Sequence, residues 1–203
     1  MILLILDFRL SPDPGISLSV TKSAAEPAQS EIQNPKSKIE RLLAYRRLWL
    51  VAFLIYVLDQ LTKLAVEARL PYPTYGPPAH IPIIEDFFNL VHVGNTGAAW
   101  SIFSGRGHWL GLLAVATLVA IYFWRHSLGL RAGVAQLCFG GLIGGTIGNL
   151  TDRLRVGHVV DFLDFHFGSY IYPTFNVADM GIVCGVFGYI IWSLKQPAQP
   201  ERL

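Results

Sequence analysis

Four stretches of the chain are apolar for long enough to cross a bilayer, and polar residues gather at one end of each. The first runs over residues 48 to about 70 and the second over residues 109–124, with residues 105–108 completing the crossing. The third covers residues 133–150 and the fourth residues 177–194. At about 1.5 Å of rise per residue, some 20 helical residues span a hydrocarbon core of about 30 Å. The pattern predicts an α-helical integral membrane protein with four transmembrane helices. Between the first two stretches, prolines from Pro71 onward give way to β-branched and aromatic positions at residues 87–93. These predict a small extended or β platform at the membrane surface. After the third stretch, Phe162, Phe165, Phe167, Tyr170 and Tyr172 predict a loop (residues 162–175) lying in the interface, where amphipathic rings are favoured.

In the third stretch Gly140, Gly141, Gly144, Gly145 and Gly148 recur at intervals of three and four, a spacing expected to leave one bare face for another backbone. That helix is expected at the centre of the bundle. Residues 1–40 turn, after a short apolar start, to Ser, Pro, Ala, Gln and Lys without helical or strand period. They read as a disordered extension and lack the basic region and apolar length of a secretory signal peptide. The expected organisation is that extension, a four-helix membrane domain over residues 41–196 and a short tail over residues 197–203. Arg41, Arg46 and Arg47 precede the first span, Arg125 and Arg131 separate the second and third, and Lys195 follows the fourth. Basic residues in short flanks are held on the cytoplasmic side, so both termini are expected there. Arg69, Arg106, Arg153 and Arg155 fall on the other side.

Composition agrees with a membrane setting. Of 203 residues 52% are hydrophobic and 15% charged, against about 25% charged in soluble domains. The net charge of +2, with no basic stripe, excludes nucleic acid as a partner. Cys138 and Cys184 stand in apolar runs without metal-ligand spacing and read as small buried apolar side chains, not as a disulfide or zinc site.

Crossing a membrane does not account for five polar clusters near one face. They are Asp59, Gln60, Thr62 and Lys63; Asn95 and Thr96; Asn149, Asp152 and Arg153; Asp161 and Asp164; and Asn176 and Asp179. An ionisable group at the bilayer centre costs about 2.5–3.5 kcal/mol on insertion scales, so such a gathering implies a paired network or a working site. Asp59 and Lys63 are four apart and read as a structural ion pair. Asn149, Asp152 and Arg153 read as a structural cluster closing the third helix. Asn176 and Asp179 fit the N-cap and the third residue of the fourth. Asp161, flanked by Val159, Val160 and Phe162, needs a partner or a proton, and Asp179 is the first choice. Two carboxyls on different elements sharing one proton supply an acid and a base at neutral pH. Asp164 and His166 are rivals, but strand alternation would turn them away from Asp161. His166 is expected at the surface.

In order, the blocks Asp59-Gln60-Leu61-Thr62-Lys63, Asn95-Thr96-Gly97-Ala98-Ala99-Trp100-Ser101, Gly144-Gly145-Thr146-Ile147-Gly148-Asn149-Leu150-Thr151-Asp152-Arg153, Val159-Val160-Asp161-Phe162 and Phe175-Asn176-Val177-Ala178-Asp179 resemble the signature of lipoprotein signal peptidase, or signal peptidase II. The resemblance covers about residues 48–194. It implies an aspartic endopeptidase that cuts a bacterial prolipoprotein just before its diacylglyceryl-cysteine, without metal or organic cofactor. It assigns Asp161 and Asp179 as the catalytic pair. It further implies that Asp59, Lys63, Asn95, Gly97, Asn149, Asp152, Arg153, Asn176 and Ala178 support or line the site. Trp100 stands where Phe is commoner in the family. The implied setting is the inner membrane, with the site near the outer face. The chain is expected to act as a monomer among membrane lipids, and the aromatic loop to gate lateral entry of substrate. The alternative is a proton-coupled membrane carrier, because intramembrane Asp, Lys and Arg also mark ion pathways. Against it, no inverted repeat and no span broken at mid-depth is visible.

Overall fold

The computed structural model describes residues 43–97, 102–103 and 105–196. The extension over residues 1–40, Arg41, Trp100 and the tail over residues 197–203 lie outside the described residues. Among the described residues, four helices are long and apolar enough to cross a membrane: α1 (Arg46–Arg69), α2 (Gly107–Trp124), α3 (Gly133–Val156) and α4 (Val177–Leu194). Along α1 the buried residues Leu48, Ala52, Asp59, Lys63 and Val66 form one stripe, spaced by four, seven, four and three. Trp49, Leu50, Phe53, Leu54, Leu58, Leu61 and Leu64 are exposed. Such a helix suits lipid outside and packing plus polar pairing inside.

α3 occupies the centre, as expected. Over its apolar window 61% of residues are buried, against 17–22% in the other three helices. Its glycines, however, form two rows rather than one bare face. A Cβ on Gly144 would lie 2.5 Å from the Ala52 carbonyl oxygen of α1, and one on Gly141 would lie 2.8 Å from the Gly181 oxygen of α4. Consecutive glycines point about 100° apart around a helix, so paired glycines serve two neighbours where a single row would serve one. Replacing Gly144 with Val should therefore lower stability by about 1–3 kcal/mol through overpacking. Gly111→Ala is the control, since its Cβ would meet only Leu150 Cδ1 at an ordinary 3.6 Å. Thermal unfolding in detergent reads both, and equal behaviour of the two variants would contradict the two-row packing.

α3 continues beyond the apolar stretch to Val156 because its polar last turns find partners, and it stops at Gly157, whose φ of 79° is a left-handed cap. β3 (Val159–Phe167) starts directly afterwards. The platform is a four-stranded antiparallel sheet in the order β1 (Ile81–Ile84), β2 (Phe88–Asn95), β3 and β4 (Tyr170–Ile171). β2 and β3 pair from Phe88 opposite Phe165 to Asn95 opposite Val159, which sets Asp161 opposite Val93.

This pairing corrects the expectation of an interfacial loop over residues 162–175. Most of that segment is strand, because β2 offers it a ladder. Phe162 is buried against Val66 and Leu70, and Phe165 stacks on Phe88 with ring centroids 4.5 Å apart. Of the five aromatics, only Phe167, Tyr170 and Tyr172 remain exposed, around the hairpin tip. The cysteine expectation also changes: Cys138 is half-buried, and Cys184 is exposed on the outer side of α4, where a small apolar thiol suits lipid.

Candidate active site

The end of the bundle that carries the sheet gathers the polar residues of five elements, α1, β2, α3, β3 and α4. Lys63 and Asp59 are both fully buried on α1, and Lys63 Nζ lies 2.9 Å from Asp59 Oδ2 and 2.7 Å from Asp152 Oδ2 on α3. Its third contact is a hydrogen bond of 3.0 Å to Asn149 Oδ1, so all three ammonium donors have an acceptor. Asp59 Oδ1 accepts the backbone N–H of Ala178 at 2.9 Å, satisfying one orphan donor in the first turn of α4. Ala178 is itself fully buried, and a Cβ on the facing Gly148 would come within 2.5 Å of Asp59 Oδ2. Small residues here let α1, α3 and α4 converge on one carboxylate.

Asp152 ties this network to the sheet. Its Oδ2 accepts Val160 N at 3.2 Å, and its Oδ1 accepts Gln60 Nε2 at 3.1 Å. The residue after Val160 is Asp161, buried to 2% exposure. Two amides hold its carboxyl: Asn95 Nδ2 donates to Oδ2 at 3.1 Å and Asn176 Nδ2 to Oδ1 at 2.7 Å. Asn95 Oδ1 accepts Gly97 N at 2.9 Å in an Asx turn, which fixes the amide so that its nitrogen faces Asp161.

Asn176 and Asp179 form a complete capping box at the start of α4, as the three-residue spacing predicts. Asn176 Oδ1 accepts Asp179 N at 2.9 Å, and Asp179 Oδ2 accepts Asn176 N at 3.3 Å. One side chain thus ends on Asp161 and also caps the turn bearing Asp179. Asn149 completes the ring: its Nδ2 donates to Asp179 Oδ1 at 2.7 Å, while its Oδ1 accepts Lys63 Nζ. Asp179 is half-buried. Burial first, and then the nearby charge of Asp179, raise the pKa of Asp161 from 3.8 to about 7, against the lowering effect of the Asn95 and Asn176 hydrogen bonds.

The structure brings Asp59, Lys63, Asn95, Asn149, Asp152, Asp161, Asn176, Ala178 and Asp179 into one hydrogen-bonded assembly. The expected Asn149, Asp152 and Arg153 cluster divides, because neighbouring residues of a helix point about 100° apart. Asp152 turns to α1, whereas Arg153 reaches the Gly97 carbonyl oxygen at 2.9 Å and the Asn149 oxygen at 3.2 Å. Arg153 Nε is buried without a hydrogen-bond partner among the described residues. Asp164 and His166 pair with each other at 2.7 Å, outside the assembly, with the His166 side chain 29% exposed. Thr62 also stays out, donating to the Leu58 and Asp59 carbonyl oxygens of its own helix. Gln60, which bridges Asp59 and Asp152, and Gly148, which makes room for Asp59, were not among the expected site residues. Both carried a signal: Gln60 adjoins Asp59, and Gly148 continues the Gly140 and Gly144 spacing.

The chain matches the family model for signal peptidase (SPase) II over residues 51–195. It is 44% identical over 161 residues to a lipoprotein signal peptidase of Tolumonas auensis, a match covering 75% of this chain and 93% of that one. To a lipoprotein signal peptidase of Aeromonas hydrophila it is 42% identical over 144 residues, covering 69% and 83% respectively. Among solved structures it resembles a bacterial membrane enzyme determined by the in meso method at 2.3 Å, with a TM-score of 0.65 and 28% identity. That likeness covers 75% of this chain and 93% of the other.

Proposed function

From the premise that this chain belongs to the signal peptidase II family and is a multi-pass membrane protease, we propose that it removes signal peptides from prolipoproteins by cutting just before a diacylglyceryl-modified cysteine, with Asp161 and Asp179 as its acid and base. The observation that carries the reading is the Asn176 bridge, whose two ends hold the Asp161 carboxyl and the turn bearing Asp179.

In this mechanism the pair holds one proton. Asp179 carries the charge at the third residue of α4, where the helix dipole favours an anion, and Asp161 carries the proton. The Asp179 carboxylate takes a proton from a water as that water attacks the scissile carbonyl. Asp161 donates its proton first to the carbonyl oxygen, and the amine leaves with a proton returned through the pair. Asn95, Asn149 and Asn176 orient the carboxyls, Lys63 holds Asn149, and Arg153 Nε is a buried donor able to meet the substrate backbone. Water is the only co-reactant. Arg46 and Arg47 at the start of α1, Arg125 and Arg131 between α2 and α3, and Lys195 after α4 support a cytoplasmic location for that end of the bundle, and with it a site at the outer face of the inner membrane. A monomer suffices, because every group named lies on one chain.

Purified full-length protein in detergent should cut a lipidated prolipoprotein next to the modified cysteine and leave the unlipidated precursor intact. Equal cleavage of both would remove the lipid from the reading. Flux into sealed vesicles without proteolysis would favour the carrier. The pH profile of kcat/KM should fall on the alkaline side with a midpoint near about 7, because Asp161 then loses the proton it must donate. Activity unchanged from pH 6 through pH 9, a range on the order of three pH units around that value, would place the proton elsewhere.

A further inference from the structure

The opposite end of the bundle holds a cavity unrelated to the carboxylate site. Arg46 precedes Asp59 by thirteen helical residues, about 20 Å along α1. There the loop between α2 and α3 folds back on the start of α1 and leaves an open cavity of about 200 Å³, lined by Ala44, Arg46, Arg47, Arg131, Gly133 and Gln136 among others. Its walls are fixed by apolar neighbours. Leu48 follows Arg47, Leu130 precedes Arg131, and both leucines are 3% exposed in one cluster with Ala135 and Phe139. Gln136 Nε2 donates to the Ala44 carbonyl oxygen at 2.7 Å, which ties together two lining residues, one of α3 and one of the segment before α1. Gly133 has no side chain, and a Cβ there would collide with Arg47 Nη1.

Charge at this end is one-sided. Among the described residues it carries Arg46, Arg47, Arg125, Arg131 and Lys195, while Asp59, Glu67, Glu85, Asp86, Asp152, Asp161, Asp164 and Asp179 all belong to the sheet end. No ion pair among the described residues involves Arg46, Arg47 or Arg131. Three arginines lining one cavity, with no ion-pair partner among the described residues, repel one another unless an anion joins them. Depth is set by exposed aromatics: Trp49, Tyr122 and Trp124 stand at the same end, where such rings mark the headgroup layer. Leu43, Leu50 and Val134 are exposed beside the cavity, apolar surface on which acyl chains can lie.

We propose that this cavity binds the phosphate of an anionic phospholipid of the leaflet opposite the carboxylate site. The planar guanidinium fork fits phosphate oxygens, and basic pockets between spanning helices suit lipid headgroups. The site is independent of the protease reading.

The test is lipid retention on the full chain in nanodiscs, measured by native mass spectrometry with phosphatidylglycerol competing against phosphatidylcholine. One phosphatidylglycerol should be held preferentially. The triple variant Arg46→Gln, Arg47→Gln, Arg131→Gln should weaken it about a hundredfold, roughly fivefold per arginine. Arg125→Gln with Lys195→Gln removes charge from the same face outside the cavity and should leave retention unchanged. Retention unaltered in the triple variant, or lost equally in the control, overturns the proposal. So does inorganic phosphate that raises thermal stability as much as the lipid does. If the triple variant fails to fold, Arg131→Gln alone, on the loop, should still show the fivefold loss, and no loss there overturns the proposal.

Discussion

Asp161→Asn and Asp179→Asn should each lower cleavage of a lipidated prolipoprotein by about 10⁴-fold, the upper end of what one positioned acid or base contributes. Neither variant should unfold the chain. The Asp161→Asn side chain keeps one oxygen acceptor for the two amides that now hold the carboxyl, and the change removes a group whose charge is costly to bury. The sign of the stability effect follows from the pKa of Asp161, 3.8 unfolded and about 7 folded. Between those values the folded state binds more protons, so this group makes the native chain less stable as pH rises, and the loss is complete above about pH 7. Asp161→Asn removes that loss and should be at least as stable as the native chain at pH 8. Paired activity and unfolding measurements check both outcomes. A variant that is inactive only because it is unfolded would contradict them.

Lys63→Met should produce the largest loss of stability of any single change away from the carboxyl pair. Methionine preserves the length and the apolar stem but strips the ammonium from between Asp59 and Asp152, 2.9 and 2.7 Å away. Removing one partner of a buried ionic group leaves uncompensated charge and costs about 3–5 kcal/mol. Two carboxylates depend on Lys63, which favours the upper part of that range. Activity should fall too, because Asn149, which holds Asp179, loses its link to Lys63. Adding Asp152→Asn to Lys63→Met should recover part of the stability, since one buried charge then disappears with its partner. Denaturation in detergent reads the pair, and additive losses in the double variant would show that the lysine does not balance Asp152.

Much of this was legible in the sequence, for identifiable reasons. The spans could be read because lipid demands uninterrupted apolar helices, and the start of α4 because Asn176 and Asp179 sit at capping-box spacing. The ion pair of Asp59 with Lys63 followed from helical periodicity alone. Asp152 as their common partner did not, since 89 residues separate it from Lys63 and only packing of α1 on α3 joins them. The β2 and β3 ladder was likewise hidden. Residues 162–167 have the aromatic content of an interfacial loop, and pairing with a segment some 70 residues earlier decides that they form a strand. The glycines revealed close approach but not that two neighbours share α3, because intervals of three and four fit either arrangement.

The central claim is that Asp161 and Asp179 work as one unit. The most direct test compares the turnover of Asp161→Asn, Asp179→Asn and the double variant on one lipidated substrate. Groups that act together lose their function together, so the double variant should be no slower than either single variant. Independent losses that multiply, or substantial turnover retained by one single variant, would contradict the account.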